Sequence, residues 1–293
     1  MPIQYDMPLW RPPSEGRNLI IQATLGCSYN HCSFCSNYWT KRFTVRPLPE
    51  VFHDIEAAQR VWPDADRVFL ADGDAMMLPT DHLHQILSRL HECFPALTRV
   101  SSYATPDNIN RKSPEELEGL RARKLSLMYL GIESGDGEVL KRVAKGASPG
   151  GIGRAINKAV AAGMKVSAMV ILGLGGRALS QRHIDATVAL VNSAPPTYLS
   201  TLQLDLSRAE APGFLARWGE AFEPLDDHAI LGEQTRLIAG LAPPKPVIFR
   251  SNHASNALPL AGTLPRDRDK LLGAIEMACS AGVGMRSRFL RGI

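Results

Sequence analysis

Long apolar runs are missing from this 293-residue chain. The longest, counting glycines, is Ala168 to Gly176, far short of the ~20 residues that a membrane-spanning helix needs. Charge of one sign is not in excess either. There are 33 Lys and Arg against 29 Asp and Glu, a net charge of +4, too little to argue for a nucleic-acid partner by itself. The opening segment MPIQYDMPLWRPP has neither a basic start nor an apolar core, so a secretory leader is not expected. No repeat or low-complexity stretch is visible. With 45% apolar, 21% charged and 6% aromatic residues, the composition excludes a disordered chain and a collagen-like repeat. Cysteines number five, which is few and odd. A disulfide framework is therefore not expected, and metal binding or catalysis in a reducing, cytoplasmic compartment is.

What is present is an alternation. Short apolar, β-branched runs predict strands at Asn18 to Thr24, Arg67 to Ala71, Thr98 to Ser102, Leu125 to Ile132, Lys165 to Leu172 and Tyr198 to Leu204. Between them, amphipathic spacing predicts helices at Pro49 to Val61, Thr80 to Cys93, Pro114 to Arg123, Gly151 to Ala162 and Gln181 to Asn192. Ser113-Pro114-Glu115-Glu116 is a helix start, with a hydroxyl cap, a Pro in the first turn and two acids at the positive end. Such βαβ units imply a parallel sheet, closed as an open doubly wound sheet or as a barrel. No G-x-G-x-x-G follows the first strand, which weakens a dinucleotide-binding reading. Six strands make a partial (β/α)6 TIM-like barrel over residues 18–205, preceded by an extension of residues 1–17. Residues 206–293 read as an α-rich extension over the barrel mouth. It has helices at Asp226 to Leu241 and Asp267 to Ala281 and a short strand at Val247 to Arg250.

Three of the five cysteines, Cys27, Cys32 and Cys35, fall within nine residues just after the first strand. In a parallel barrel that is the catalytic face. A lone tetrahedral zinc wants four ligands, which His31 could complete. A 4Fe–4S cluster held by three thiolates keeps one iron open for something else.

This loop, Gly26 to Tyr38, resembles the cluster loop of the radical S-adenosylmethionine (SAM) superfamily. The usual spacing there is C-x3-C-x2-C, whereas this chain has C-x4-C-x2-C, one residue longer among Ser28 to His31. The resemblance implies that Cys27, Cys32 and Cys35 hold a 4Fe–4S cluster. SAM would chelate the fourth iron, and its reductive cleavage would give a 5′-deoxyadenosyl radical that takes hydrogen from a substrate. Phe34 keeps the aromatic position that lies beside the adenine. Asp72-Gly73-Asp74, ending the second strand, is similar to the segment that grips the SAM ammonium, with Gly73 and Asp74 as its residues and Asp72 a possible third. Gly131-Ile132-Glu133-Ser134-Gly135 resembles the ribose motif, with Glu133 as ligand and Ser134 its neighbour. Arg154, opening the next helix, matches a basic residue that meets the SAM carboxylate. The strand ending at Leu172 resembles the one that contacts adenine.

Asn252 and His253, in a segment dense in polar side chains, are the candidates for substrate recognition or acid–base work. His183 reads as a surface or core histidine, Cys93 and Cys279 as buried inert thiols, and Arg286, Arg288 and Arg291 as a solvated basic tail. The two remaining cysteines are too few for an auxiliary cluster domain, and the stretch before Cys27 is too short for a cobalamin domain. The resemblance also implies a reductant such as flavodoxin or ferredoxin. The substrate stays unidentified, and nucleic acid is not excluded. Two other classes fit the residues less well: a haem or metal carrier or electron-transfer protein on the same fold, and a zinc-binding structural or RNA-interacting module.

Overall fold

The computed structural model describes residues 3–287, 289 and 291. Among them are ten α-helices and ten strands. The first half of the chain runs β1 (Leu19–Gln22), β2 (Thr24–Leu25), β3 (Thr44–Val45), α1 (Leu48–Val61), β4 (Arg67–Ala71), α2 (Thr80–Cys93), β5 (Arg99–Tyr103), α3 (Pro106–Arg111), α4 (Pro114–Ala122) and β6 (Leu125–Glu133). The second runs α5 (Gly137–Arg142), α6 (Pro149–Ala161), β7 (Lys165–Leu172), α7 (Gly176–Ser193), β8 (Tyr198–Gln203), α8 (Ala211–Trp218), α9 (Asp227–Gly240), β9 (Val247–Arg250), β10 (Ala261–Leu264) and α10 (Arg268–Ala281). Eight strands join one sheet in the order β1-β4-β5-β6-β7-β8-β9-β10. The pairs β1–β4, β4–β5, β5–β6, β7–β8 and β8–β9 are parallel, and β10 runs antiparallel to β9. The α/β class expected from the sequence is therefore present, with two strands beyond the six counted for the core. The short strand expected at Val247 to Arg250 is present as β9, paired with β8, and β10 adds a strand that was not expected.

The chain falls into two compact units, and β6 and β7 thread through both. The first takes the chain up to Asn30, then Cys35–Leu130 and Lys158–Val166. β4 is a continuous apolar run, as a parallel strand covered on both faces requires, and its Val68, Phe69, Leu70 and Ala71 are fully buried. Phe69, Tyr103 and Tyr129 meet edge to face at 5.2–6.1 Å between ring centroids. Beneath them, fully buried Glu15 accepts from the Tyr129 hydroxyl and from Arg99 Nη2 at 3.0 Å. That pins the 3-10 turn Pro13–Glu15 to β5 and β6. The expected start of α4 is seen in full. Ser113 Oγ accepts from Glu116 N–H at 3.1 Å, and the Glu116 carboxylate accepts from Ser113 N–H at 2.6 Å.

The second unit takes His31–Phe34, Gly131–Asn157 and the chain from Ser167 onward. Its apolar centre joins Val139 and Val143 near α5 to Leu174, Phe214 and Trp218, the last two from α8. Two sequence expectations fail here. Cys279 is exposed, not buried, because the buried stripe of α10 runs through Leu271, Ile275 and Ala278 and leaves position 279 outside it. The tail arginines are not simply solvated. Arg291 makes a two-pronged pair with Asp227 at 2.7 and 2.8 Å, and Arg286 donates to the His253 carbonyl at 2.9 Å. Arg288 lies outside the described residues. No helix among those described is long and apolar enough to cross a membrane.

Removing the Ser113 hydroxyl leaves the Glu116 N–H without its cap, while the backbone bond from Ser113 N–H to the Glu116 carboxylate stays. Ser113→Ala is expected to lower stability by about 1 kcal/mol, read as a lower urea midpoint at unchanged slope.

Candidate functional site

The cysteine loop leaves β2 at Gly26, whose φ of +72° suits glycine. The end of β4 fixes that departure. Gly26 N–H donates to Asp72 Oδ2 at 3.0 Å, and Gly73 N–H donates back to the Gly26 carbonyl at 3.0 Å. Fully buried Asp72 also accepts from Gln22 Nε2 at 3.3 Å and pairs with Lys41 Nζ at 2.8 Å. Asp72 is thus committed inside the fold. Gly73 is a point of closest approach: a Cβ there would lie 2.9 Å from both Cys27 Cβ and Tyr38 Cε2.

Asp74 has the opposite accounting. It is fully buried, and its Oδ2 accepts from Ser28 Oγ at 2.6 Å and from Asn108 Nδ2. Its Oδ1 is buried with no partner among the described residues. Burial pushes the carboxyl up to about 6, against the pull of Ser28, the Thr105 backbone, Asn108 and Lys112. The neighbouring ammonium of Lys112 is spent on the Leu78 carbonyl at 2.8 Å and Thr80 Oγ1 at 3.3 Å. A buried carboxylate with one orphaned oxygen and, among the described residues, no cation on it is an acceptor that an ammonium-bearing ligand would satisfy. Ser28 and Asn108 were not singled out in the sequence. The Thr105-Pro106-Asp107 start of α3, capped by Thr105, was the available signal for Asn108.

In the second unit, Glu133 ends β6 with φ +61° and is nearly buried. Its Oε1 pairs with Lys145 Nζ at 2.8 Å. A Cβ on Gly131 would collide with the same carboxylate, so glycine makes room for it. Ser134 is fully buried, and its hydroxyl serves the fold. It accepts from Asp136 N–H at 3.0 Å and lies 2.8 Å from His183 Nδ1. His183 Nε2 lies 3.0 Å from the Ile171 carbonyl. Of its two expected locations, His183 takes the core: it is fully buried, and burial lowers its pKa to about 4. Phe34 packs partly buried against the Val139, Val143 and Phe214 cluster, and Ser33 N–H donates to the Val143 carbonyl at 3.0 Å. Leu172 is fully buried at the end of β7, and its carbonyl accepts from Leu204 N–H at 2.8 Å. Arg154 is exposed on α6, its guanidinium beside Gly150 and Gly151.

Asn252 is exposed, whereas half-buried His253 caps its own turn through Nδ1, 2.8 Å from Ser255 Oγ and 3.2 Å from Ser255 N. Burial and Arg286 lower its pKa. Sequence reasoning missed Glu233 of α9. Buried, it accepts from Gly173 N–H at 2.6 Å and from Ser180 Oγ at 2.7 Å, and so fixes the glycine-rich turn after β7. Burial pushes it up to about 7.

Cys27, Cys32 and Cys35 are all half-buried, and none forms a disulfide. Cys27 and Cys35 belong to the first unit and Cys32 to the second. Among the described residues, no three His, Cys, Asp or Glu side chains converge on a single-ion site. The thiols share a loop, and their donor chemistry suits iron–sulfur ligation.

Comparison with known proteins follows the same lines. The family model described as the radical SAM superfamily matches residues 21–191. A Methanocaldococcus jannaschii protein named as a candidate methylthiotransferase is 24% identical over 216 residues. The match spans 67% of this chain but only 46% of that relative. Among solved structures, methylornithine synthase (PylB) superposes with a TM-score of 0.53 at 16% identity, over 76% of this chain and 63% of its own. The radical SAM methyltransferase TsrM from Kitasatospora setae, with cobalamin and a 4Fe–4S cluster bound, gives 0.50 at 20% identity over 64% and 36%.

Glu233 sets a test by pH. Its carboxyl is raised from 4.5 to about 7 in the fold, so the folded state holds the extra proton between these values. Its stabilising contribution is full below about 4.5 and is lost as pH rises through 7, a change of roughly 3 kcal/mol. His183, lowered from 6.5 to about 4, acts in the other direction, its contribution present above 6.5 and lost on acidification. The comparison is therefore between variants. Glu233→Gln should lack the decline seen in the parent between pH 4.5 and 7 in denaturant titrations.

Proposed function

The chain belongs to the radical SAM superfamily, whose members use a 4Fe–4S cluster and S-adenosylmethionine, and from that premise we propose a radical SAM enzyme in which Cys27, Cys32 and Cys35 hold the cluster and Asp74 receives the SAM ammonium. The carrying observation is the buried, partnerless Oδ1 of Asp74, on a carboxyl pushed up by burial. An ammonium brought there would meet an acceptor already held by Ser28 and Asn108. Bound together, the two cofactors supply one-electron cleavage of a sulfonium C–S bond and a carbon radical able to take hydrogen from a substrate.

The protein's part is positioning. Gly73, where any side chain would strike Cys27 and Tyr38, keeps the backbone beside the thiol low enough for a ligand to approach. Glu133, steadied by Lys145, is the acceptor for ribose hydroxyls. Ser134 stands behind it and holds the strand end through His183, so we leave it out of the contacts made directly with the nucleoside. Phe34 and the buried end of β7 at Leu172 are the apolar groups for adenine, and exposed Arg154 is the cation for the SAM carboxylate. Asn252 is accessible to a substrate, whereas His253 is engaged as an acceptor in its own turn. A one-electron donor of the flavodoxin or ferredoxin class is required. Because the match covers less than half of the methylthiotransferase-like relative, only the cofactor chemistry common to the superfamily is carried over.

Reconstituted without oxygen, the chain is expected to bind about four irons and to release 5′-deoxyadenosine on reduction with SAM. Changing any of the three cysteines to Ala should remove the cluster. Asp74→Asn should keep the iron but weaken SAM binding about tenfold or more by equilibrium titration, the worth of a hydrogen bond to a charged group. Full iron loading in a Cys27→Ala variant, or unaltered SAM affinity in Asp74→Asn, overturns the assignment.

A further inference from the structure

Tyr38 follows Cys35 by three residues, and its side chain turns back into the fold. The residue is only 5% exposed, and its hydroxyl is buried with no hydrogen-bond partner among the described residues. Buried phenols normally find an acceptor. The ring has little freedom to look for one elsewhere. It shares with Cys27 the space that a Cβ on Gly73 would fill, 2.9 Å from each. The Tyr38 carbonyl accepts from Asn30 Nδ2 at 2.9 Å and from Lys41 N–H at 3.0 Å. Burial raises the pKa of the hydroxyl, and Asp72, Tyr103, Cys27 and Cys35 add to that in decreasing order. Lys41, 6.0 Å from the ring centroid, is already spent on Asp72 at 2.8 Å and Asp6 at 2.9 Å. A buried O–H donor thus sits, among the described residues, without an acceptor, on a ring packed beside Cys27 and three residues after Cys35.

We infer that the Tyr38 hydroxyl donates a hydrogen bond to a sulfur of the iron–sulfur centre, a ligating thiolate or a bridging sulfide, and so raises the potential at which the centre is reduced. The inference rests on the cysteine assignment made above. Hydrogen bonds to cluster sulfurs are one of the determinants of reduction potential. A donor favours the reduced form because that form carries one more negative charge to be met. Tyr38 is a tuning residue in this account and touches neither substrate nor the breaking bond.

The test is a redox titration of the full, anaerobically reconstituted chain, followed by the electron paramagnetic resonance signal of the reduced cluster. Tyr38→Phe keeps the ring and removes the donor. At a fixed potential its ratio of reduced to oxidised cluster should fall about tenfold, equivalent to about 59 mV for a one-electron couple. Replacing Tyr38 with 3,5-difluorotyrosine, a more acidic phenol and a stronger donor, should move the midpoint the other way. Unchanged midpoints in both proteins at full iron content overturn the inference. If Tyr38→Phe fails to hold a cluster, the fluorinated protein decides alone. Retention of iron in Cys27→Ala or Cys35→Ala would instead defeat the ligand assignment, so the two failures are distinguishable.

Discussion

A carboxylate cannot be taken out of water cheaply unless its charge is met, and Asp72 is taken out completely. Lys41 supplies the charge, and Gly26 and Gln22 supply the remaining donors. Those partners come from β1, from the start of the cysteine loop and from its far side. One buried group therefore ties the loop to the end of β4. Breaking it from either side would leave an uncompensated charge inside the fold. The positions of Cys27, Gly73 and Tyr38 follow from that tie, since the backbone bonds between Gly26 and Gly73 can form only with the loop held there.

Two residues further on, the same chemistry is handled differently. Asp74 is as deeply buried as Asp72 but receives hydroxyl and amide donors on one oxygen only, with no cation on either. A fold that satisfies one acid in full and leaves its neighbour half-satisfied has separated scaffold from site. The same division recurs beyond β6. Ser134 and His183 bind each other and the backbone, while Glu133 is lifted over Gly131 against Lys145. Glu233 belongs with the scaffold, as it holds the turn at Gly173 in a left-handed conformation that glycine accepts readily.

Much of this was legible in the sequence, for physical reasons. β4, β7 and α2 have the expected bounds because their apolar runs or stripes are long and end at turn residues. The helices missed, α3 and α8, have six and eight residues, too few for a 3.6-residue period to declare itself. β10 carries no alternation of its own and is a strand because β9 offers it an edge. In the site, the cysteines and strand-end acids stood out because few structural roles ask for those residues in those places. Their supports did not. Asn108 lies 34 residues from Asp74, Ser28 lies 46 from it, and Glu233 lies 60 from Gly173. Only the folded chain puts such pairs together. Tyr38 looked like one more aromatic until its hydroxyl proved to be without an acceptor.

The exposure of Cys279 on α10 has a practical side. It offers a surface thiol in open solvent, unlike Cys93, which is buried at the end of α2. In air, such a thiol joins chains through intermolecular bridges and scavenges loosely held iron and sulfide during cluster assembly. A preparation that carries serine at this position would keep metal bound at the α10 surface out of an iron count. The same thiol gives a place to attach a spin label or fluorophore on α10.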